Sequence, residues 1–190
     1  MTSVNLIVCI GPNNVIGIRD KLLWKSKQDF YHFKKMTMHN PCIFGAKTFY
    51  GLPKYPLKDR LCIVLDDSIK YDYLINQNDN GSYIVVKNIC RALEMCKSFS
   101  NVYVCGGAGV YKSFLDARLI DNMYVTRIIS KKIESTIASS NKEELIYFPY
   151  DINEYTKEGW EKERIKYSEE ELSEEYDDIT VLFRKYKKIK

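Results

Sequence analysis

Apolar runs rich in β-branched and aromatic residues recur along the chain at Val4 to Ile10, Pro41 to Phe44, Leu61 to Leu65, Tyr83 to Val86, Val102 to Cys105 and Met123 to Ile129. Between several of them the apolar positions change to helical spacing, most clearly over Gln28 to Thr37 and Ile89 to Cys96. Alternation of strand and helix favours a parallel sheet, and uninterrupted apolar strands such as Ile63-Val64-Leu65 imply a sheet covered on both faces. The last third differs. Runs near Trp160 to Tyr167 and Ile179 to Tyr186 have no helix between them, which predicts an antiparallel hairpin closing one sheet edge. The expected fold is α/β: one domain over residues 1–190, with a central, mostly parallel twisted sheet of about eight strands, an antiparallel C-terminal edge strand and about four flanking helices.

Composition narrows the function classes. At 190 residues the chain is long enough for one well-buried core, and no linker or internal repeat divides it. The net charge is +4. Part of that excess lies in Arg184, Lys185, Lys187, Lys188 and Lys190, just after an acidic run from Glu169 to Asp178. Neighbouring blocks of opposite sign read as solvated loop and tail, so no nucleic-acid partner is expected. The six cysteines form no C-x-x-C pair and the histidines are only His32 and His39, which argues against a disulfide frame or a metal centre. Residues 1–10 carry no basic leader, and their apolar run is too short to cross a bilayer. The expectation is a monomeric cytoplasmic protein with no membrane partner.

Candidate chemistry gathers where strands end. Val102-Tyr-Val-Cys-Gly-Gly-Ala-Gly-Val-Tyr111 is an apolar run that stops at Gly106-Gly107 and reopens with helical spacing. Adjacent glycines there let a ligand press against the main chain, and the amides of the following helix start suit a pyrophosphate. A strand-turn-helix corner without a ligand also favours glycine, and the spacing matches neither the dinucleotide fingerprint nor a phosphate loop. Gly45-Ala-Lys-Thr-Phe49 repeats the arrangement after Cys42-Ile43-Phe44, adding a cation and a hydroxyl. Two such turns in one sheet favour a diphosphate cradle.

Asp29 is the sharpest single residue. On a helix it shares a face with Phe33 and Met36 at i, i+4 and i+7, which places a carboxylate against apolar surface and suits a donor-rich, protonatable heterocycle. Ser26-Lys-Gln-Asp29 also fits a capping box, so a purely structural role stands beside the binding one. Gly11 to Trp24 is turn-rich and has the makings of a lid whose tryptophan excludes water; as the alternative, Trp24 is a core anchor. The loop from Pro53 leads to Arg60, whose planar fork suits a ligand carboxylate or an exposed salt bridge.

Taken in order, Gly17…Leu22-Leu-Trp24, Asp29-Phe30…Phe33, Gly45-x-Lys-Thr-Phe49…Leu52-Pro53, Arg60, Val104-x-Gly-Gly-x-x-Val-Tyr111 and Tyr124-Val-Thr126 resemble the dihydrofolate reductase family across nearly the whole chain. The resemblance implies reduction of 7,8-dihydrofolate to tetrahydrofolate. Hydride passes from nicotinamide C4 to pterin C6, and N5 takes its proton from solvent. It assigns Asp29, Trp24 and Thr126 to the catalytic centre. Val8, Phe30, Phe33, Leu52 and Leu57 join Cys105 and Tyr111 against the pterin and aminobenzoyl groups, and Arg60 takes the glutamate α-carboxylate. The dinucleotide, NADPH with NADH as a second possibility, meets Cys9, Ile16 and Gly17 on one stretch, then Gly45, Ala46, Lys47 and Thr48, then Leu65, Asp66 and Ser68. Cys105, Gly106, Gly107, Ala108, Gly109, Val110 and Tyr111 complete its site, and no metal is implied.

Three single positions and one short stretch depart from the family pattern. Leu23 replaces a proline, Ala46 a cation, and Cys105 an aliphatic residue. Asp66-Asp67-Ser68 sets two acids where a 2′-phosphate is expected, leaving Ser68 or Lys70 to receive it. Two rivals follow: a reductase of riboflavin-type synthesis on the same fold, and a nucleotide-binding protein without turnover.

Overall fold

A computed structural model of the chain describes residues 1–19, 21–22, 24–155, 159–168 and 178–189. Leu23 and residues 169–177 of the acidic run therefore lie outside the described residues.

The strands are β1 (Ser3–Ile10), β2 (Val15–Ile18), β3 (Pro41–Gly45), β4 (Leu61–Leu65), β5 (Tyr73–Asn78), β6 (Gly81–Val86), β7 (Asn101–Val104), β8 (Asn122–Ile129), β9 (Leu145–Tyr147), β10 (Trp160–Ile165) and β11 (Thr180–Lys188). The helices are α1 (Lys27–Thr37), α2 (Ala46–Tyr50), α3 (Ile89–Met95), α4 (Ala108–Asp116), α5 (Lys131–Ser139) and α6 (Ile152–Tyr155). Nine strands form one sheet in the order β10-β11-β8-β1-β7-β3-β4-β6-β5, and β2 with β9 forms a separate antiparallel pair.

The central pairings β1–β7, β7–β3, β3–β4 and β4–β6 are parallel. Their sequences explain why: the first four residues of β3 and the middle of β4 are buried on both faces, as strands sandwiched between helices must be. β10–β11 and β11–β8 are antiparallel, so the expected C-terminal hairpin is present. β10 carries Glu161, Lys162, Glu163 and Arg164 on exposed positions, and such charge blunts further pairing at an edge.

Among the described residues the sheet has nine strands beside the expected eight or so, and there are six helices beside the expected four or so. Each additional element has weak patterning. β5 is mostly exposed and lies antiparallel to β6 at the opposite edge. β2 is four residues long and occupies part of the segment read as turn. α5 buries only Ile133 and Ile137.

By compactness the chain falls into two units, residues 1–6 with 37–121 and residues 7–36 with 122–190. In the first, Phe49 is fully buried among the rings of Phe44, Tyr55 and Tyr83, at centroid distances of 5.8, 5.1 and 4.9 Å. In the second, Trp24 packs with Val15, Ile128, Ile133, Ile137 and Leu145. No helix among the described residues is long and apolar enough to cross a membrane.

Candidate active site

In the unit of residues 7–36 and 122–190, α1 begins shortly after Trp24, and Ser26 supplies its cap. The Asp29 amide donates to Ser26 Oγ at 3.0 Å, an orthodox N-cap bond. Asp29 itself is half-buried on the first turn, with Phe30 exposed beside it and Phe33 half-buried one turn on. Three residues after Asp29, His32 is buried at 1 % exposure.

The sheet face that α1 packs against follows from register. Phe183 of β11 stands opposite Thr126 of β8. Opposed residues of an antiparallel pair share a face, and so do residues two apart. Tyr124, Thr126, Ile128 and Phe183 therefore point the same way. At one end of this row the His32 ring lies 4.8 Å from Phe183 and 6.5 Å from Tyr124, centroid to centroid. At the other end Ile128 packs with Trp24. Asp29 lies between Trp24 and His32 in the chain, as Thr126 lies midway between Ile128 and Tyr124.

Thr126 is 1 % exposed, and its hydroxyl finds no hydrogen-bond partner among the described residues. A buried polar group left unpaired costs roughly 1–3 kcal/mol. Such a group on an otherwise apolar row marks a place where a ligand or water completes the bonding.

Trp24 combines both roles considered for it only in part. It is 5 % exposed in the core, and its indole Nε1–H donates to Cys9 Sγ at 3.1 Å. Gly11 carries no side chain for a plain reason: a Cβ there would meet the Trp24 ring at 2.7 Å. Val8 is buried, Cys9 and Ile16 are half-buried, and Gly17 is closed in by the Lys21 carbonyl, 2.8 Å from where its Cβ would stand.

The unit of residues 1–6 and 37–121 holds the glycine turns. β7 and β3 are adjacent and parallel, so Gly106-Gly107 and Gly45 lie at the same edge, and the Gly45 amide donates to the Gly106 carbonyl at 2.7 Å. The Gly106–Gly107 peptide is cis, and Gly106 has φ +102°, a backbone region reserved for glycine. A Cβ on Gly106 would meet the Tyr111 ring at 2.9 Å, and one on Gly107 would meet Thr48 Oγ1 at 2.8 Å. Packing within the protein thus accounts for these two glycines. Gly109, on the first turn of α4, is different: it is exposed, with nothing within 4 Å of an added Cβ. Ala108 and Val110 beside it and Ala46 at the start of α2 are half-buried, and Lys47 is exposed.

β4, the next parallel strand, ends at half-buried Leu65 and delivers Asp66 to the same edge. Asp66 Oδ1 accepts from both the Ser68 amide, at 3.0 Å, and the Ser68 hydroxyl, at 2.6 Å. Ser68 is therefore held by the acid. Burial pushes the Cys105 thiol well above its ordinary value, with Cys42 adding to the effect, so Cys105 is a neutral thiol.

Leu52 and Leu57 are half-buried, and the Leu57 amide donates to Cys62 Sγ at 3.3 Å. Arg60, also half-buried, donates through Nη1 to Thr37 Oγ1 at 3.2 Å and through Nε to the Lys58 carbonyl at 3.0 Å. Neither contact is a salt bridge. Two features escaped the sequence: the Asp66–Ser68 bond and His32, whose Nδ1 is 2.5 Å from the Tyr167 hydroxyl. Only the short Asp-x-Ser spacing of an Asx turn hinted at the first; nothing local signalled the second, since Tyr167 is far away in the chain.

A family model described as dihydrofolate reductase matches residues 3–188. Among similar proteins, a dihydrofolate reductase of Drosophila melanogaster is 31% identical over 142 residues, covering 69% of this chain and 76% of the relative. A type 9 dihydrofolate reductase of Escherichia coli is 31% identical over 129 residues, covering 67% and 71%, and one from Bos taurus is 30% identical over 144 residues, covering 67% and 74%. With a match over nearly its full length, the chain belongs to the dihydrofolate reductase family of oxidoreductases.

Proposed function

We propose that this protein reduces 7,8-dihydrofolate to 5,6,7,8-tetrahydrofolate with NADPH, and accepts NADH. The observation that carries the reading is the unpartnered, buried Thr126 hydroxyl on the sheet face against which His32 of α1 packs, three residues after Asp29. A pterin offers a 2-amino group and a protonatable ring nitrogen, the donors that a carboxylate and a hydroxyl would hold.

When bound, the reduced dinucleotide supplies hydride from nicotinamide C4 to pterin C6. Asp29 binds the 2-amino group and N3 side of the ring and stabilises its polarised form. Thr126 joins that hydrogen bonding. N5 takes its proton from solvent, so no side chain need touch it. Trp24, with its N–H on Cys9, shields the reacting centre from bulk water. Arg60 pairs with the glutamate α-carboxylate, its planar guanidinium offering more N–H groups than its bonds to Thr37 and Lys58 use.

The dinucleotide residues fit the group unevenly. Gly45, Lys47, Thr48 and the open start of α4 suit the diphosphate, whereas Asp66 and the Ser68 it holds favour a ribose hydroxyl. The protein is therefore expected to use NADH at a rate within about tenfold of NADPH. Loss of the reduced-cofactor absorbance with dihydrofolate, followed for both dinucleotides in parallel, tests the reading. Turnover supports it; no oxidation with either dinucleotide would overturn it.

A further inference from the structure

Two buried polar atoms on one sheet face lack partners among the described residues: Thr126 Oγ1 and His32 Nε2. Both residues are 1 % exposed. His32 packs on Phe183, and Phe183 stands directly opposite Thr126, so the two residues flank the same side chain. An apolar residue at either position would fill its space without leaving an unmet bond. One water bonded to both would satisfy the pair, and a buried water typically makes about three hydrogen bonds.

The other side of the imidazole is fixed. Nδ1 lies 2.5 Å from the Tyr167 hydroxyl. Tyr167 is held edge-on by Phe183 and Tyr31, at centroid distances of 5.2 and 5.9 Å, with the Lys35 ammonium 4.9 Å from its ring centre. A phenol that donates to Nδ1 keeps the ring proton on Nε2. His32 is then a donor aimed from a rigid mount.

We infer that His32 is a positioning residue for the reaction, acting through a water held between its Nε2–H and the Thr126 hydroxyl oxygen. With a donor delivered to that oxygen, the Thr126 hydrogen turns to an acceptor, and Asp29, one turn before His32 on α1, supplies one on the same helix. The inference rests on the reading that Asp29 and Thr126 hold the pterin. His32 touches neither substrate nor dinucleotide.

The test combines steady-state kinetics of His32→Phe and His32→Gln with nitrogen-15 NMR of the imidazole in the wild-type protein. Expected are a His32→Phe protein that is folded, binds the dinucleotide normally and loses about tenfold in kcat/KM for dihydrofolate, and partial rescue by the glutamine amide. The wild-type ring should carry its proton on Nε2, with a resonance that moves on folate binding and again in Thr126→Val. A folded phenylalanine variant with unchanged kcat/KM, or a wild-type proton on Nδ1, would overturn the inference. If the wild-type protein shows no turnover, the functional reading fails instead. The Nε2 resonance then decides the His32–Thr126 link by itself: a shift in Thr126→Val upholds it, and no shift refutes it. The same NMR comparison decides if the phenylalanine variant does not fold.

Discussion

His32 shows how one buried side chain ties stability to pH. Burial, with help from the Lys35 charge, pushes its pKa down to about 4. In the unfolded chain the value is about 6.5. Between these values the unfolded state carries a proton that the folded state lacks, so stability rises with pH across that window and is flat above it. The shift corresponds to on the order of 3 kcal/mol. Urea unfolding from pH 4 to pH 7 should show this rise in the wild-type protein and a much shallower one in His32→Phe. An equal slope in both would mean that other groups set the acid limit. None of this was legible in the sequence, where His32 is one of two histidines and its partner Tyr167 lies beyond any local pattern. Asp29 stood out in the sequence because a carboxylate at i with apolar residues at i+4 and i+7 breaks the amphipathic rule visibly, and the structure puts it half-buried on the first turn of α1. Its competing role in a capping box stands beside the binding one, since the hydroxyl of Ser26 accepts from the Asp29 amide as one half of such a box requires.

The glycine-bounded elements separate packing from binding. Gly106 and Gly107 are required by their own neighbours Tyr111 and Thr48, so their presence says little about a ligand. Gly109 is the informative position, because nothing in the protein asks for glycine there. An alanine in the first turn of α4 should raise stability by about 0.5–1 kcal/mol by limiting the unfolded chain. If the open amides of α4 receive the diphosphate, the same methyl group raises the KM for the dinucleotide severalfold. Measuring both on Gly109→Ala separates the readings: a more stable protein with unchanged KM would remove α4 from the cofactor site. The central strands β1, β3, β4, β6, β7 and β8 were all readable: β3, β4 and β7 are nearly continuous buried apolar runs, and β1, β6 and β8 carry enough β-branched and aromatic residues to mark them. β2, β5, β9 and α5 were not, because each is short or mostly exposed and carries too few apolar residues to set a period.

The family match runs across both compact units. The row from Trp24 and Ile128 to His32 and Phe183 places Thr126 in the unit that also carries Asp29. The parallel strands β7, β3 and β4 place Gly106, Gly45 and Asp66 at one edge in the other. The proposed reaction as a whole stands on what Asp29 does. An asparagine in its place keeps one oxygen that accepts a hydrogen bond, but the negative charge is gone. Comparing turnover and urea stability of Asp29→Asn with wild type in the same preparations is the most direct test. The expected result is a folded protein within about 1 kcal/mol of wild type, unaltered dinucleotide binding, and a loss of at least about a hundredfold in kcat/KM for dihydrofolate. A variant that keeps its turnover, whatever its stability, would contradict the proposed role of the carboxylate.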